Sequence, residues 1–262
     1  MDVLTETKSA VLTVTLNRPQ TKNAMTAEMM TSLRQIFSNI GNEIRAVVLK
    51  GAGDFFCAGG DLQWMKSSVD KSPDDNEKDA LNLAKMIRAI DECPVPVITQ
   101  VKGGAFGGGV GLVAASDIVM ADDDALFSLS EVKLGLIPAT IGPIVLRKIG
   151  WSAARKYYLT GKRFKSAEAK AIQLIHDVAP ASTFFSLTNE YLHELSSSGP
   201  QAVREAKKLL RQMSGNELWR EDIAEVTSKI LSRIRVGEEA QEGISAFLNR
   251  KTPSWKRSLT ES

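Results

Sequence analysis

The sequence predicts an α/β fold with parallel strands, followed by a helical C-terminal region. Apolar runs at 46–50 and 95–101 each lead into a glycine-rich loop and then into a segment with helical character. Parallel strands need a crossover connection, which is usually a helix, so this alternation favours a parallel sheet. After about residue 150 the strand pattern fades, and apolar residues recur at helical spacing.

The composition is that of an ordinary globular protein. The chain has 262 residues, 43% hydrophobic and 24% charged, which is enough to bury a sizeable core. Its net charge of +2 gives no broad basic surface for nucleic acid. No apolar run approaches the roughly 20 residues of a membrane span, and the N-terminal residues lack a secretory signal. Because Cys57 and Cys93 are too few for a disulfide framework, we expect a reduced, cytoplasmic protein.

Local patterns predict the elements before residue 130. Residues 2–16 alternate in places between polar and apolar side chains, which predicts a pair of strands. Thr26 is a suitable N-cap for one helix, and Asp61 begins another. The polar residues 70–79 predict a mobile surface loop. Beyond the second glycine loop the sequence predicts a short helix and two strands, at 110–116, 118–121 and 125–129.

The C-terminal third is predicted to be helical. Ser196-Ser-Ser-Gly-Pro200 is the best internal hinge, so we expect a core over 1–195 and a helical region over 196–262. The apolar residues of this tail need a partner, either the core or a neighbouring subunit. The helical segments are 152–159, 166–174, 182–195, 200–213, 217–235 and 237–249.

Two glycine-rich loops are the strongest indication of a functional site. One runs from Gly51 to Gly60 and the other from Gly103 to Gly109, and each follows a strand and precedes a helix. Backbone amides at a helix N-terminus point outward, and glycine lets a ligand approach them closely. Two such amides from separate loops, if they converge, form an oxyanion hole.

Glycine-rich loops also serve other functions in proteins. A phosphate-binding loop needs Gly-Lys-Ser/Thr before its helix, and that is missing here. Gly109 to Ala114 fits the dinucleotide pattern, with Glu131 roughly 20 residues further on. The segment before Asp117 is, however, shorter than the dozen or so residues of a crossover helix. Either loop alone could also be a tight turn with no catalytic part.

Glu131 is the best candidate for moving protons. It lies between apolar stretches, so burial should raise its pKa and suit it to general acid–base chemistry; a surface glutamate at a strand end is the alternative. Asp61 is expected to cap its own helix and Asp117 to be structural. Cys57 is expected to be a buried thiol rather than a nucleophile. Two scattered histidines predict no metal site.

Several stretches occur in a recognisable order: Asn17-Arg-Pro, Asn23-Ala, Phe56-Cys-Ala-Gly-Gly-Asp-Leu, Gly103-Gly-Ala-Phe-Gly-Gly-Gly, Ala115-Ser-Asp117 and Leu134-Gly-Leu-Ile-Pro138. With Leu159-Thr-Gly and Glu242-Gly-Ile-Ser-Ala-Phe247 they span nearly the whole chain. Together they resemble the enoyl-CoA hydratase/isomerase (crotonase) family. The resemblance implies a spiral of ββα turns with a C-terminal helical trimerisation region, assembled as a homotrimer or a dimer of trimers. It also implies acyl-CoA thioester substrates.

The resemblance also assigns roles to individual residues. It places the two oxyanion donors on the amides of Gly60 and Gly108, and the catalytic glutamate on Glu131. Ala58 matches a backbone contact to adenine, and Arg250 matches a basic residue that reaches the coenzyme A of a neighbouring subunit. Coenzyme A is part of the substrate, so no separate cofactor is expected. The stretch that lines the substrate comprises Gly60, Asp61, Leu62 and Gln63.

Two departures from the family pattern bear on the reaction. Many hydratases carry a second glutamate where this chain has Gly111. Basic residues that some members use for the coenzyme A phosphates are replaced, and Arg18 or Lys22 could substitute for them. The replaced positions are Gln20, Asp54 and Gln63.

The segments 107–117 and 128–139 resemble single-glutamate hydratases of branched, 3-methylglutaconyl-type thioesters. This implies an enzyme that adds water reversibly across the 2,3 double bond of an acyl-CoA. A single carboxylate can also shuttle a proton between the α and γ carbons, so a double-bond isomerase is the alternative. A catalytically idle acyl-CoA-binding scaffold is a third possibility.

Overall fold

The computed structural model describes residues 1–213, 223–257 and 259. Its strands are β1 Val3–Lys8, β2 Val11–Leu16, β3 Ala46–Gly51, β4 Val97–Val101, β5 Gly104–Phe106, β6 Ile118–Ala121, β7 Leu126–Ser128, β8 Phe164–Lys165 and β9 Asp177–Val178. They form one sheet in the order β1-β2-β3-β4-β6-β9 and a smaller sheet in the order β5-β7-β8.

The helices surround these sheets. They are α1 Ala27–Ser38, α2 Leu62–Lys66, α3 Pro73–Asp91, α4 Gly108–Ala115, α5 Gly142–Thr160, α6 Ser166–Ala171, α7 Phe184–Ser197, α8 Pro200–Gln212, α9 Ile223–Arg235 and α10 Glu238–Leu248. The predicted helix 217–235 is described from residue 223 onward, and 217–222 lie outside the described residues. Within the described ranges, no helix combines the length and the apolar character needed to cross a membrane.

The predicted parallel pairing is confirmed. β1 and β2 form the antiparallel pair, and β2, β3, β4 and β6 then run parallel. β3 and β4 are neighbours, so the loops that follow them leave from the same edge of the sheet. These strands are almost fully buried between helices, which is why they read as continuous apolar runs.

The prediction of a mobile loop at 70–79 is wrong from residue 73 onward, because α3 begins at Pro73. The Ser72 hydroxyl accepts a hydrogen bond from the Asp75 amide (3.2 Å) and caps this helix. Proline suits the first helical position because its missing N–H would have no partner there. Asp74 and Asp75 add negative charge near the positive end of the helix dipole. The polar residues are therefore a helix start.

Two buried cationic side chains connect the C-terminal helices to the sheet. Arg45 donates hydrogen bonds to the carbonyls of Leu195, Ser198 and Trp255. The Lys207 ammonium lies 2.6 Å from the Asp117 carboxylate, so Asp117 is structural, as predicted. Helix α7 ends at Ser197 and α8 begins at Pro200, so residues 198–199 connect the two helices inside the predicted hinge. A division into two units at residue 196 stays a prediction.

Candidate active site

The two glycine loops meet beside the sheet edge. The Cys57 amide donates to the Gly104 carbonyl (3.3 Å), and the Phe106 amide donates to the Cys57 carbonyl (2.9 Å). These bonds join the loops as a short parallel bridge between Cys57 and Ala105. The convergence that the sequence predicts is therefore built by backbone hydrogen bonds.

The amides of Gly60 and Gly108 are free to bind a ligand. Each follows a glycine with positive φ, Gly59 at 93° and Gly107 at 49°, a conformation that L residues avoid. A Cβ added at Gly59 would lie 2.8 Å from the Phe106 carbonyl oxygen and 3.5 Å from the Gly108 nitrogen, so the loops are in close contact. Within the described residues neither amide donates to a protein acceptor. Gly108 also opens α4, where the helix dipole favours negative charge.

Buried polar groups hold the first loop in place. The Asn23 amide donates to the carbonyls of Ala52 (2.9 Å) and Phe55 (2.7 Å). Asp61 caps α2 by accepting from the amides of Gln63 and Trp64, and its other oxygen lies 3.0 Å from the Arg18 guanidinium. Loop 51–60 is thus fixed at both ends, which orders the donor before a ligand arrives.

Glu131 faces the second loop. It lies on a short 3-10 helix, Ser130–Leu134, that ends at Gly135 in the left-handed conformation. Its Oε1 atom is 3.1 Å from the position of a Cβ at Gly107. The other oxygen, Oε2, is buried and has no hydrogen-bond partner in the part of the chain that the structure describes. Burial raises the pKa of Glu131, opposed in part by its own backbone amide, which suits it to give and take a proton near neutral pH.

These groups open into one pocket of about 450 Å³. Gly60, Gly108 and Glu131 line it, together with mostly apolar side chains from α2, α3 and the segment after Glu131. Two backbone donors and one carboxylate in an apolar pocket can stabilise an enolate oxygen and move the proton on the adjacent carbon. Among the described residues, no group of three or more His, Cys, Asp or Glu side chains could hold a metal ion.

Comparison with known proteins identifies the family. The model of the enoyl-CoA hydratase/isomerase family matches residues 6–258. The chain belongs to this family. It is 32% identical to a putative enoyl-CoA hydratase of Thermus thermophilus, over 94% of this chain and 97% of the relative.

Solved structures place the chain in the same crotonase fold. An enoyl-CoA hydratase from Shewanella pealeana superposes with a TM-score of 0.91 at 36% identity, covering 97% of this chain and 96% of the other. AtuE of Pseudomonas aeruginosa superposes with a TM-score of 0.93 at 32% identity, covering 98% and 100%. The predicted crotonase-like fold with a helical C-terminal region is therefore confirmed, and the protein is an enzyme of the enoyl-CoA hydratase/isomerase family.

The substrate-binding residues carried over from the family fall in different places. Ala58 and Leu62 line the pocket with the two donor glycines and Glu131. Asp61 and Gln63 are not among the lining residues; Asp61 is the helix cap described above. Arg250 is exposed just after α10. The roles of all these residues toward an acyl-CoA stay predictions.

Cys57 is a buried structural thiol, as expected. Its sulfur donates to the Asn23 carbonyl, and burial raises the pKa of the Cys57 thiol to about 12. The dinucleotide pattern around Gly109 also loses its structural basis, because α4 ends at Ala115 after eight residues. Of the candidate phosphate ligands, Arg18 is already engaged by Asp61, whereas Lys22 lies 5.5 Å above the Phe55 ring.

Ile141, a residue that the sequence reasoning missed, fills the space beside Gly111. A Cβ added at Gly111 would lie 2.5 Å from Ile141 Cγ2 and 3.1 Å from Ile87 Cδ1. The position at which the family resemblance led us to look for a second glutamate is therefore packed with hydrocarbon. Ile141 also lines the pocket, but no local sequence pattern distinguishes it from other core residues.

We predict that Gly111→Ala destabilises the protein by about 1–3 kcal/mol, because the new methyl group overpacks the contact with Ile141. The free energy of unfolding from urea denaturation measures this. Gly142→Ala is the matched control, since its Cβ would lie no closer than 3.6 Å to Tyr158. Wild-type stability in Gly111→Ala would show that the space beside α4 is open.

Proposed function

We propose that the protein adds water reversibly across the 2,3 double bond of an acyl-CoA thioester. The observation that supports this most is that, among the described residues, two unpaired backbone amides and a carboxylate with one buried, unpaired oxygen converge on one apolar pocket. Glu131 takes a proton from water as the water oxygen attacks the β-carbon. The amides of Gly60 and Gly108 hold the thioester oxygen while it carries the enolate charge. The protonated Glu131 then gives its proton to the α-carbon.

A double-bond isomerase is the second candidate. It is favoured by the packing of Gly111 against Ile141, which leaves Glu131 as the one carboxylate among the described pocket residues. One carboxylate that reaches both the α and γ carbons moves a proton without water. A scaffold that binds thioesters without turning them over is the third candidate.

Incubation in water enriched in ¹⁸O separates the three candidates. A hydratase puts heavy oxygen on the β-carbon of a 2-enoyl-CoA. An isomerase interconverts 2-enoyl-CoA and 3-enoyl-CoA without taking up the label. A scaffold binds both thioesters and leaves their α-protons unexchanged with solvent. The resemblance makes a branched, 3-methylglutaconyl-type thioester one of the acyl groups to test, with coenzyme A as carrier and no separate cofactor.

We also propose self-association as a homotrimer or a dimer of trimers. The C-terminal helices expose large apolar side chains, with Phe247 85% and Leu248 74% exposed in the single chain. Exposed apolar side chains at neighbouring positions favour burial against another subunit. The same assembly would bring Arg250, two residues beyond Leu248, to a neighbouring subunit's substrate.

Phe247→Ser is predicted to weaken this assembly. Light scattering coupled to size exclusion should show a trimer or hexamer for the wild type and a shift toward monomer for the variant. Phe185→Ser on α7, where the side chain is 57% exposed, is the control and should keep the wild-type mass. A monomeric wild type at micromolar concentration would rule out the assembly.

A further inference from the structure

The charge of the pocket lining restricts which acyl groups of a substrate it can bind. Among the described lining residues the side chains are hydrocarbon, aromatic or thioether, apart from the hydroxyls of Ser130 and Thr140 and the Glu131 carboxylate. The one ionisable side chain among these described lining residues is therefore an acid. Burial already penalises the charge of Glu131, so a second negative charge beside it would meet both desolvation and repulsion.

Two cations lie close to aromatic rings of the lining without lining the pocket themselves. The Lys71 ammonium is 5.4 Å from the centre of the Trp64 ring, but it is paired with Asp79 at 2.5 Å. The Arg163 guanidinium lies 5.3 Å from the centre of the Phe106 ring. Trp64 and Phe106 line the pocket, whereas neither cation does. A carboxylate on the acyl group would thus have no direct counter-ion in the described lining.

The outer part of the pocket is also apolar. Leu134, Leu136 and Ile137 follow Glu131 and line the pocket while remaining largely exposed, Ile137 by 73%. Leu62 on α2 does the same. An acyl chain that extends past Glu131 would therefore continue along hydrocarbon, which favours an uncharged end.

We propose that this pocket takes an uncharged hydrocarbon acyl group and discriminates against one that ends in a carboxylate. This inference rests on the proposed hydratase function and narrows its substrate class. Among branched thioesters it favours 3-methylcrotonyl-CoA over 3-methylglutaconyl-CoA, which differ by the terminal carboxylate alone. Substrate discrimination is the ratio of the two kcat/KM values.

The matched pair of thioesters tests the inference on the full-length wild type. We expect kcat/KM to be about 100-fold higher for 3-methylcrotonyl-CoA, because the ionised group would be buried without a partner. The saturated analogues isovaleryl-CoA and 3-methylglutaryl-CoA, used as competitive inhibitors, should differ in the same direction, which assigns the effect to the acyl end.

The possible results distinguish a failure of this substrate inference from a failure of the proposed hydratase function. Equal or better turnover of 3-methylglutaconyl-CoA would overturn the inference while upholding a hydratase. No hydration of these thioesters or of crotonyl-CoA would instead overturn the proposed function.

Adding a cation at the rim tests the charge argument directly. We expect Ile137→Lys to raise the ratio of kcat/KM for 3-methylglutaconyl-CoA to that for 3-methylcrotonyl-CoA by at least about tenfold. Leu159→Lys adds the same charge at a residue 76% exposed and outside the lining, and should leave the ratio unchanged. A ratio in Ile137→Lys equal to that of the wild type would contradict charge as the cause.

Discussion

Replacement of Glu131 by glutamine is expected to lower kcat for hydration by about 10³-fold or more. General acid or base catalysis typically contributes 10²–10⁴-fold, and in this account Glu131 does both steps. The amide matches the carboxylate in shape but neither accepts the proton of water nor returns one to the α-carbon. Binding of a saturated acyl-CoA, measured by calorimetry, should be nearly unchanged. Glu194→Gln, on α7 away from the pocket, is the matched control.

The same variant has a predicted effect on stability. Burial raises the pKa of Glu131 in the folded state above its ordinary value near 4.5. Between the ordinary pKa and the raised pKa, the folded state therefore binds more protons than the unfolded state. Stability is therefore lost as pH rises through that window. Glu131→Gln should unfold at a higher temperature than the wild type at pH 7, and the gain should vanish well below pH 4.5. No gain at pH 7 would mean that the carboxylate is well solvated.

Removal of one oxyanion donor should have the next largest effect. Gly60→Pro deletes the amide proton and is expected to lower kcat by about 10²–10³-fold, the usual cost of losing one donor. Its effect should fall mainly on kcat, because the donor acts on the charge that develops in the transition state.

Gly60→Ala separates the loss of the donor from a change in shape. It keeps the N–H, and its Cβ would lie 3.4 Å from Met65 Sδ, an ordinary contact. The alanine variant should retain most of the activity, with circular dichroism confirming that both variants are folded. A folded proline variant with the wild-type rate would exclude this amide from the oxyanion hole.

The parts of the site that the sequence predicted are those governed by local chemistry. Thr26 caps α1, and Asp61 caps α2, because a side-chain oxygen there meets the amides of the first turn. The glycine runs indicated exposed amides, and the apolar neighbours of Glu131 indicated a raised pKa, which the structure supports.

The features that the sequence analysis missed depend on distant contacts or on weak signals. Ile141 meets Gly111 across 30 positions of the chain, and no periodicity reports such a contact. β8 and β9 have two residues each, too few for an alternating pattern. At the start of α3, the polar composition led to the prediction of a loop, although Ser72 and Pro73 are the residues expected at a helix N-terminus.

One isotope measurement tests most directly whether Glu131 carries a proton from water to the α-carbon during a hydration at this pocket. A 2-enoyl-CoA is incubated with the wild type and with Glu131→Gln in water that carries both deuterium and ¹⁸O, and the product is examined by mass spectrometry. We expect one deuterium on the α-carbon and one ¹⁸O on the β-carbon for the wild type, and neither for the variant. Equal labelling by the two proteins, or unlabelled thioester with the wild type, would contradict this role of Glu131.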